Sequence, residues 1–295
     1  MKDYLQKAYA MNGTFRVYAA ITTDIVKHAE KIFNMWPTSC AALGRTLTMG
    51  AIMSSTYDPR DYINIRIDGD GPIGKIRVDA HDGKVRGFCE NPGIYLSYKN
   101  GHLDVKDAVG NGTLEVVKDI HMRQPFSGSV ELISGEIAED FAYYYAKSEQ
   151  IPTAVGLGVL FDTESKVKAA GGFLVQKMPG AKDSDITIIE ENLKKLKPCS
   201  TMIEEGYSAE DIIKEITKNG DYQILETKEL SYECNCSKER FKNGIASIGY
   251  DEILNIAKED KKAEITCNFC NTKYTFDEKE LLDIADEVKK RKENK

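Results

Sequence analysis

The sequence predicts an α+β protein in three parts: an N-terminal mixed α/β-sheet domain over residues 1–180, a helical linker over 181–226 and a small C-terminal four-cysteine domain over 227–295. Three observations carry this reading. Strand-like and helix-like stretches interleave up to Pro179-Gly180. Beyond that point the apolar residues recur at helical spacing. Finally, Cys234-Asn235-Cys236 is followed, after 30 residues, by Cys267-Asn268-Phe269-Cys270.

The first domain starts with β-branched and aromatic residues at 14–23, a strand, followed by Asp24 as expected N-cap of a helix over 25–35 that Pro37 ends. Residues 39–55 are small and apolar, as in a buried helix. Ile63, Ile65 and Ile67 alternate with Tyr62, Asn64 and Arg66, which predicts a half-buried strand. Two strands at 76–80 and 85–89 flank His81-Asp82-Gly83-Lys84, a hairpin turn signal. Further strands are expected at 103–105, 113–117 and 129–133, and a helix at 136–148. Strands at 154–161 and 167–176 complete the domain, their Gly156, Gly158, Gly171 and Gly172 marking close packing or bulges.

In the linker, Ile186, Ile189, Leu193 and Leu196 form a helical stripe that stops before Pro198. Ser208 and Asp211 make a capping arrangement for a second helix bearing Ile212, Ile213 and Ile216. Each helix is at or below the ~12–15 residues at which isolated helices become marginal in water, so both need a surface to pack on. In the last domain a helix is expected over 249–257 and a strand over 272–276. Asp277 then caps a final helix, whose basic end Lys289-Lys290-Arg291-Lys292 suits the helix dipole.

Two close cysteine pairs suit a tetrahedral ion, since each tight turn supplies two ligands. His28, His81, His102 and His121 all lie far upstream, so Cys234, Cys236, Cys267 and Cys270 are an all-thiolate candidate set for zinc. Four protein ligands leave no open position for water or substrate, which makes such a centre structural rather than hydrolytic. Thiolates are also what oxidants attack, so the same set is a candidate redox site. Four cysteines permit three disulfide pairings, and spacing alone does not choose among them. Lys238, Arg240, Lys242 and Lys273 stand near enough in sequence to stabilise the negative centre or simply to solubilise it.

The totals exclude several classes. The chain has 295 residues, is 41% hydrophobic and 29% charged, and carries a net charge of -7, which disfavours a long nucleic-acid footprint. No run approaches the ~18 apolar residues of a membrane span. The first residues lack the apolar core of a signal peptide, so a cytoplasmic location is expected, where thiols stay reduced. Seven cysteines is an odd count, against a fully bridged framework. Cys40, Cys89 and Cys199 read as buried hydrophobes. No Ser-His-Asp or metal-hydrolase set is present, so no enzymatic activity is expected.

With the cysteine pairs placed, the chain resembles the redox-regulated heat-shock holdase chaperones of bacteria, the 33-kilodalton heat-shock family. The resemblance rests on Tyr232-Glu233-Cys234-Asn235-Cys236-Ser237-Lys238-Glu239-Arg240 and on Gly69-Asp70-Gly71-Pro72 and Asn91-Pro92-Gly93. It rests also on Ser148-Glu149-Gln150-Ile151-Pro152-Thr153 and Ala170-Gly171-Gly172-Phe173-Leu174-Val175-Gln176. It implies a substrate-binding first domain, a metastable linker and a zinc switch that is inactive when reduced and loaded with one Zn2+. Oxidation would then release zinc, join Cys234 to Cys236 and Cys267 to Cys270, unfold the linker and give a homodimer. That form would hold unfolding client proteins without ATP. A constitutive zinc-module protein binding RNA or ribosomal partners is the alternative. Permanent structural zinc and thiol-disulfide exchange are further readings of the cysteines.

Overall fold

The computed structural model describes residues 2–293, and the last two residues of the basic tail lie outside them. The chain divides into two compact units between Glu233 and Cys234.

The first unit opens with a hairpin, β1 (Tyr4–Ala10) and β2 (Phe15–Ile21), followed by α1 (Thr23–Phe33) and α2 (Pro37–Ser54). Next come β3 (Tyr62–Gly69), β4 (Lys75–His81) and β5 (Lys84–Cys89), then α3 (Val105–Val109), β6 (Gly112–Asp119) and β7 (Phe126–Glu131). The helix α4 (Ala138–Tyr144) runs into a π-helical turn at Tyr145–Glu149, and β8 (Thr153–Phe161) and β9 (Val167–Lys177) follow. Three helices, α5 (Asp183–Lys195), α6 (Cys199–Glu204) and α7 (Ala209–Ile216), lead to β10 (Tyr222–Glu229) and the short β11 (Ser231–Tyr232).

Two sheets result, ordered β10-β1-β2-β9-β8 and β11-β5-β4-β3-β6-β7. Helix α2 touches strands of both sheets, so it is buried on every side except at Arg45. That explains its near-continuous run of small and apolar residues: there is no solvent face to be polar. One core lies between the sheets and includes Tyr18, Leu43, Leu47, Ile52, Ile65 and Val78.

A second core lies on the opposite face of the five-stranded sheet. There Ala8, Phe15, Val17 and Val175 meet Ile189, Met202, Ile212, Ile213 and Ile216 of the covering helices. The short helices thus obtain from the sheet the surface they need. The expected capping box is present: Asp211 N–H donates to Ser208 Oγ at 3.1 Å, and Ser208 N–H donates to Asp211 Oδ2 at 2.9 Å. Glycines set the depth of this layer. A Cβ on Gly158 would lie 2.7 Å from Ser200 Oγ, and one on Gly171 would lie 2.4 Å from the Ala20 carbonyl oxygen and 2.3 Å from Ile203 Cδ1. Close approach, rather than a bulge, explains both.

Three expectations are corrected. Asp24 does not cap α1; the carboxylate of Asp3 does, accepting the N–H groups of Asp24 and Ile25 at 3.0 and 2.7 Å. Residues 103–105 are no strand, because Asp104 accepts the Asp107 N–H at 2.9 Å and so starts α3. The helix expected over 136–148 is α-helical only through Tyr144, with the wider π turn after it.

The second unit holds α8 (Lys238–Ala246), α9 (Tyr250–Glu259), the hairpin β12 (Lys262–Thr266) and β13 (Lys273–Asp277), and α10 (Glu278–Glu293). Its core is small: Ile245, Ile253, Phe276, Leu281 and Ile284 with a few neighbours. Asp277 caps α10 as expected, accepting the Glu280 N–H at 2.8 Å.

Candidate metal centre

Two loops bring the four cysteines of the second unit together. Cys267 directly follows the first strand of the β12–β13 hairpin, and its knuckle is closed by Cys267 N–H to Thr272 O at 2.9 Å and Asn271 N–H to Cys267 O at 2.8 Å. Asn271 sits at φ 56, the left-handed conformation a tight knuckle requires and that Asn tolerates. Cys234 and Cys236 lie in the extended stretch before α8. Ser237 caps that helix by accepting the Arg240 N–H at 3.2 Å. The Arg240 guanidinium turns back to donate to Asn235 O at 3.3 Å and Asn235 Oδ1 at 2.8 Å, which pins the residue between the two thiols.

All four sulfurs lie within 4.8 Å of one another. Cys234 Sγ is 3.8 Å from Cys267 Sγ, and Cys236 Sγ is 3.3 Å from Cys270 Sγ. An ion held tetrahedrally at about 2.3 Å from each sulfur separates them by about 3.8 Å, so the cluster has the size of such a centre. The seven cysteines are free of disulfides. A donor set of sulfur alone selects a soft or borderline cation over calcium or magnesium. The residues present therefore fit a bound metal ion.

Electrostatics differ among the thiols. Burial pushes Cys234 up to about 12 and also raises Cys267. Cys270 moves the other way, to about 7: burial pushes it up, but the hydroxyl and backbone of Thr272 and the sulfurs of Cys236 and Cys267 together outweigh it. Tyr274 Oη stands 3.1 Å from Cys236 Sγ. A cation must displace protons from such a set, so its binding strengthens with pH.

The basic neighbours take particular partners. Lys238 pairs with Glu280 at 2.5 Å, Lys242 with Glu287 at 2.7 Å and Lys273 with Glu264 at 3.0 Å. Only Arg240 of the four is turned to a cysteine loop by the bonds above. Its role is legible from sequence only as one more surface cation.

The remaining cysteines are elsewhere. Cys40, Cys89 and Cys199 are buried in the first unit, and burial raises all three, Cys89 and Cys199 to about 12. Protonated and enclosed, they are poor nucleophiles.

A sheet-and-helix body followed by a small unit whose four cysteines could hold a metal ion defines the class: a mixed α/β protein with an appended four-cysteine centre. A family model described as Hsp33 protein matches residues 3–277. A protein named 33 kDa chaperonin from Geobacillus kaustophilus is 46% identical over 293 residues, covering 98% of this chain and 100% of that protein. Another 33 kDa chaperonin, from Staphylococcus haemolyticus, is 45% identical over 285 residues. Among solved structures, the Hsp33 homologue of Thermotoga maritima superposes with a TM-score of 0.89 at 32% identity, covering 97% of this chain and 98% of its own. The chain belongs to the Hsp33 family.

Proposed function

We propose that this chain is a redox-regulated, ATP-independent holdase chaperone, with Cys234, Cys236, Cys267 and Cys270 as ligands of one zinc ion in the reduced, inactive form. The observation that carries the reading is the second core of the first unit. An apolar sheet face bearing Ala8, Phe15, Val17 and Val175 is covered by three helices of 13, 6 and 8 residues. None of them is long enough to persist alone. A lid of this kind opens at low cost and uncovers a contiguous apolar surface, the kind that binds other chains. The relatives' name supports the same reading, since they are chaperonins.

When bound, zinc in small domains supplies roughly 10–16 kcal/mol of apparent free energy that counts as folding energy. The small core of the second unit has little with which to replace it. Oxidation within a pair removes two electrons from two thiolates and forms one S–S bond. Peroxide takes those electrons and two protons, its O–O bond breaks, and two waters leave. We assign the pairs as Cys234–Cys236 and Cys267–Cys270. A sulfur committed to a disulfide is no longer a thiolate ligand, so pairing and metal retention exclude each other.

Chain continuity offers the route to the lid. Cys234 directly follows Glu233, whose N–H donates to Val85 O at 2.9 Å and whose carboxylate pairs with Lys84 at 2.9 Å. Upstream, β11 pairs with β5, and β10 is the edge strand on β1. Loosening at the cysteines peels this edge from its C-terminal side and reaches the helices before it. On this reading the functional parts are a client-binding body over 1–180, a metastable linker over 181–226 and a switch over 227–295. The linker unfolds, the protein dimerises, and unfolding cytoplasmic clients are held. The test reads zinc release, thiol count and aggregation of a heat-denatured enzyme side by side along a peroxide titration. Suppression that rises with zinc release is expected. Equal suppression by the reduced, metal-bound protein sinks the proposal.

A further inference from the structure

Two of the sequence stretches that carry the family resemblance, 148–153 and 170–176, take no part in the metal centre, yet they meet in the first unit. Gln150, Ile151 and Pro152 from one, and Gln176 from the other, line a cavity of about 510 Å³ together with Arg16 and Lys177. Strand register explains the meeting. Arg16 of β2 stands opposite Gln176 of β9, which stands opposite Thr153 of β8, so all three side chains share one face of the sheet. Gln150 then turns the chain into β8 in a left-handed conformation, φ 57.

Two polar side chains on this face, Gln176 and Arg16, are incompletely partnered among the described residues. Gln176 is only 6% exposed, and its carboxamide has no hydrogen-bond partner among the described residues. The Nε of Arg16 is likewise buried without one. The Arg16 guanidinium lies 6.0 Å from the centroid of the Tyr9 ring and forms no ion pair among the described residues. No carboxylate lines the cavity, while two cations do. A donor buried without an acceptor is costly, and Arg16 Nε is one, on a side chain that lines a cavity with a second cation and no carboxylate, a charge balance that an anion complements.

We propose that this cavity binds a small organic oxyanion, a phosphate or carboxylate group on an apolar body. The planar fork of Arg16 matches such a group, Gln176 donates its amide N–H, and Lys177 neutralises the remaining charge. Ile151, Pro152 and Met178 offer apolar wall for the body. The volume lies in the range of small-molecule sites, well above what one inorganic ion needs.

The experiment titrates the full-length reduced protein with phenyl phosphate, benzoate, neutral benzamide and inorganic phosphate. Calorimetry is read beside backbone amide shifts. Saturable binding of phenyl phosphate or benzoate, with shifts centred on 150–152 and 176–181, is the expected result; the tighter of the two identifies the anionic group. Arg16→Gln should weaken that binding at least about tenfold, as expected for loss of a charge-assisted pair. The near-isosteric Gln176→Glu should abolish it by placing a carboxylate in the site. Thermal melts followed by Trp36 fluorescence report whether each variant is folded. Should Arg16→Gln unfold, Gln176→Glu and the amide map decide. Benzamide binding as tightly as benzoate, shifts elsewhere, no saturable binding of either anion, or folded variants that bind like the parent would each overturn the site.

Discussion

The phenol oxygen of Tyr4, on the first strand, accepts the backbone N–H of Ala209, the first residue of α7, at 3.1 Å. The first N–H groups of a helix have no partner inside it, so this bond ties the lid to the sheet at a point where the helix itself offers nothing. Replacing Tyr4 with Phe removes the acceptor and keeps the ring. The cost is about 0.5–1.5 kcal/mol, felt locally. Hydrogen exchange should quicken across 209–216 and stay unchanged in the sheet between Tyr18 and Leu174. Uniform acceleration would show that the lid is not a separately opening element.

Ile212 and Ile213 are fully buried against the sheet. Truncating Ile213 to Ala should cost about 2–5 kcal/mol, most of what a short helical layer can spare. The variant is expected to suppress aggregation before any oxidant is added, with its metal still bound. A variant that is inert until oxidised would separate the lid from client binding.

Arg240 is the positioning residue of the C-x-C loop, through its two bonds to Asn235. Arg240→Gln should weaken metal retention by about 10–100-fold, the usual range for residues that orient ligands. A competition assay with a chromogenic chelator measures it. Lys273→Gln, which breaks only the exposed pair with Glu264, should leave retention unchanged.

Metal removal should act unevenly. Cys234→Ser, or treatment with a chelator under reducing conditions, should melt the second unit, whose core is small. The single Trp36 lies in the first unit and should report little change there. Simultaneous loss of both signals would mean that the two units fold as one.

Asp3 gives a pH dependence with a definite sign. Burial raises its carboxyl to about 6, against the bonds from Asp24 and Ile25 that favour the anion. The folded state therefore holds the proton more tightly than the unfolded state, whose Asp titrates near 3.9. This contribution to stability is full below the unfolded value and is lost as pH rises through about 6. Asp3→Asn should flatten the dependence of the urea midpoint between pH ~4.5 and ~7, followed at Trp36. An unchanged slope would place the titrating group elsewhere.

Much of this was readable along the chain because the signals are local. The alternation of Ile63, Ile65 and Ile67 places β3, and Ser208 with Asp211 places the start of α7. Elements without such signals escaped. β10 is an edge strand whose pairing partner β1 lies more than 200 residues away in sequence, Tyr4 opposite Glu229. β10 has only Tyr222 and Ile224 packed inward, too few for a period to show. α8 had a signal, Ser237 capping Arg240, and β12 another, Ala263 and Ile265 alternating with Lys262, Glu264 and Thr266, but both are short.

By itself the sequence determined which sulfurs could share an ion, because ligand spacing within a turn is a property of neighbours in the chain. It also determined that the helices after Pro179-Gly180 could not stand alone, because their length and stripe are local too. Only the tertiary structure decided what those helices cover, that Asp3 rather than Asp24 caps α1, and that Arg16 and Gln176 face one cavity. Each of these depends on which distant segments a sheet brings side by side, and strand pairing leaves almost no trace in either strand alone.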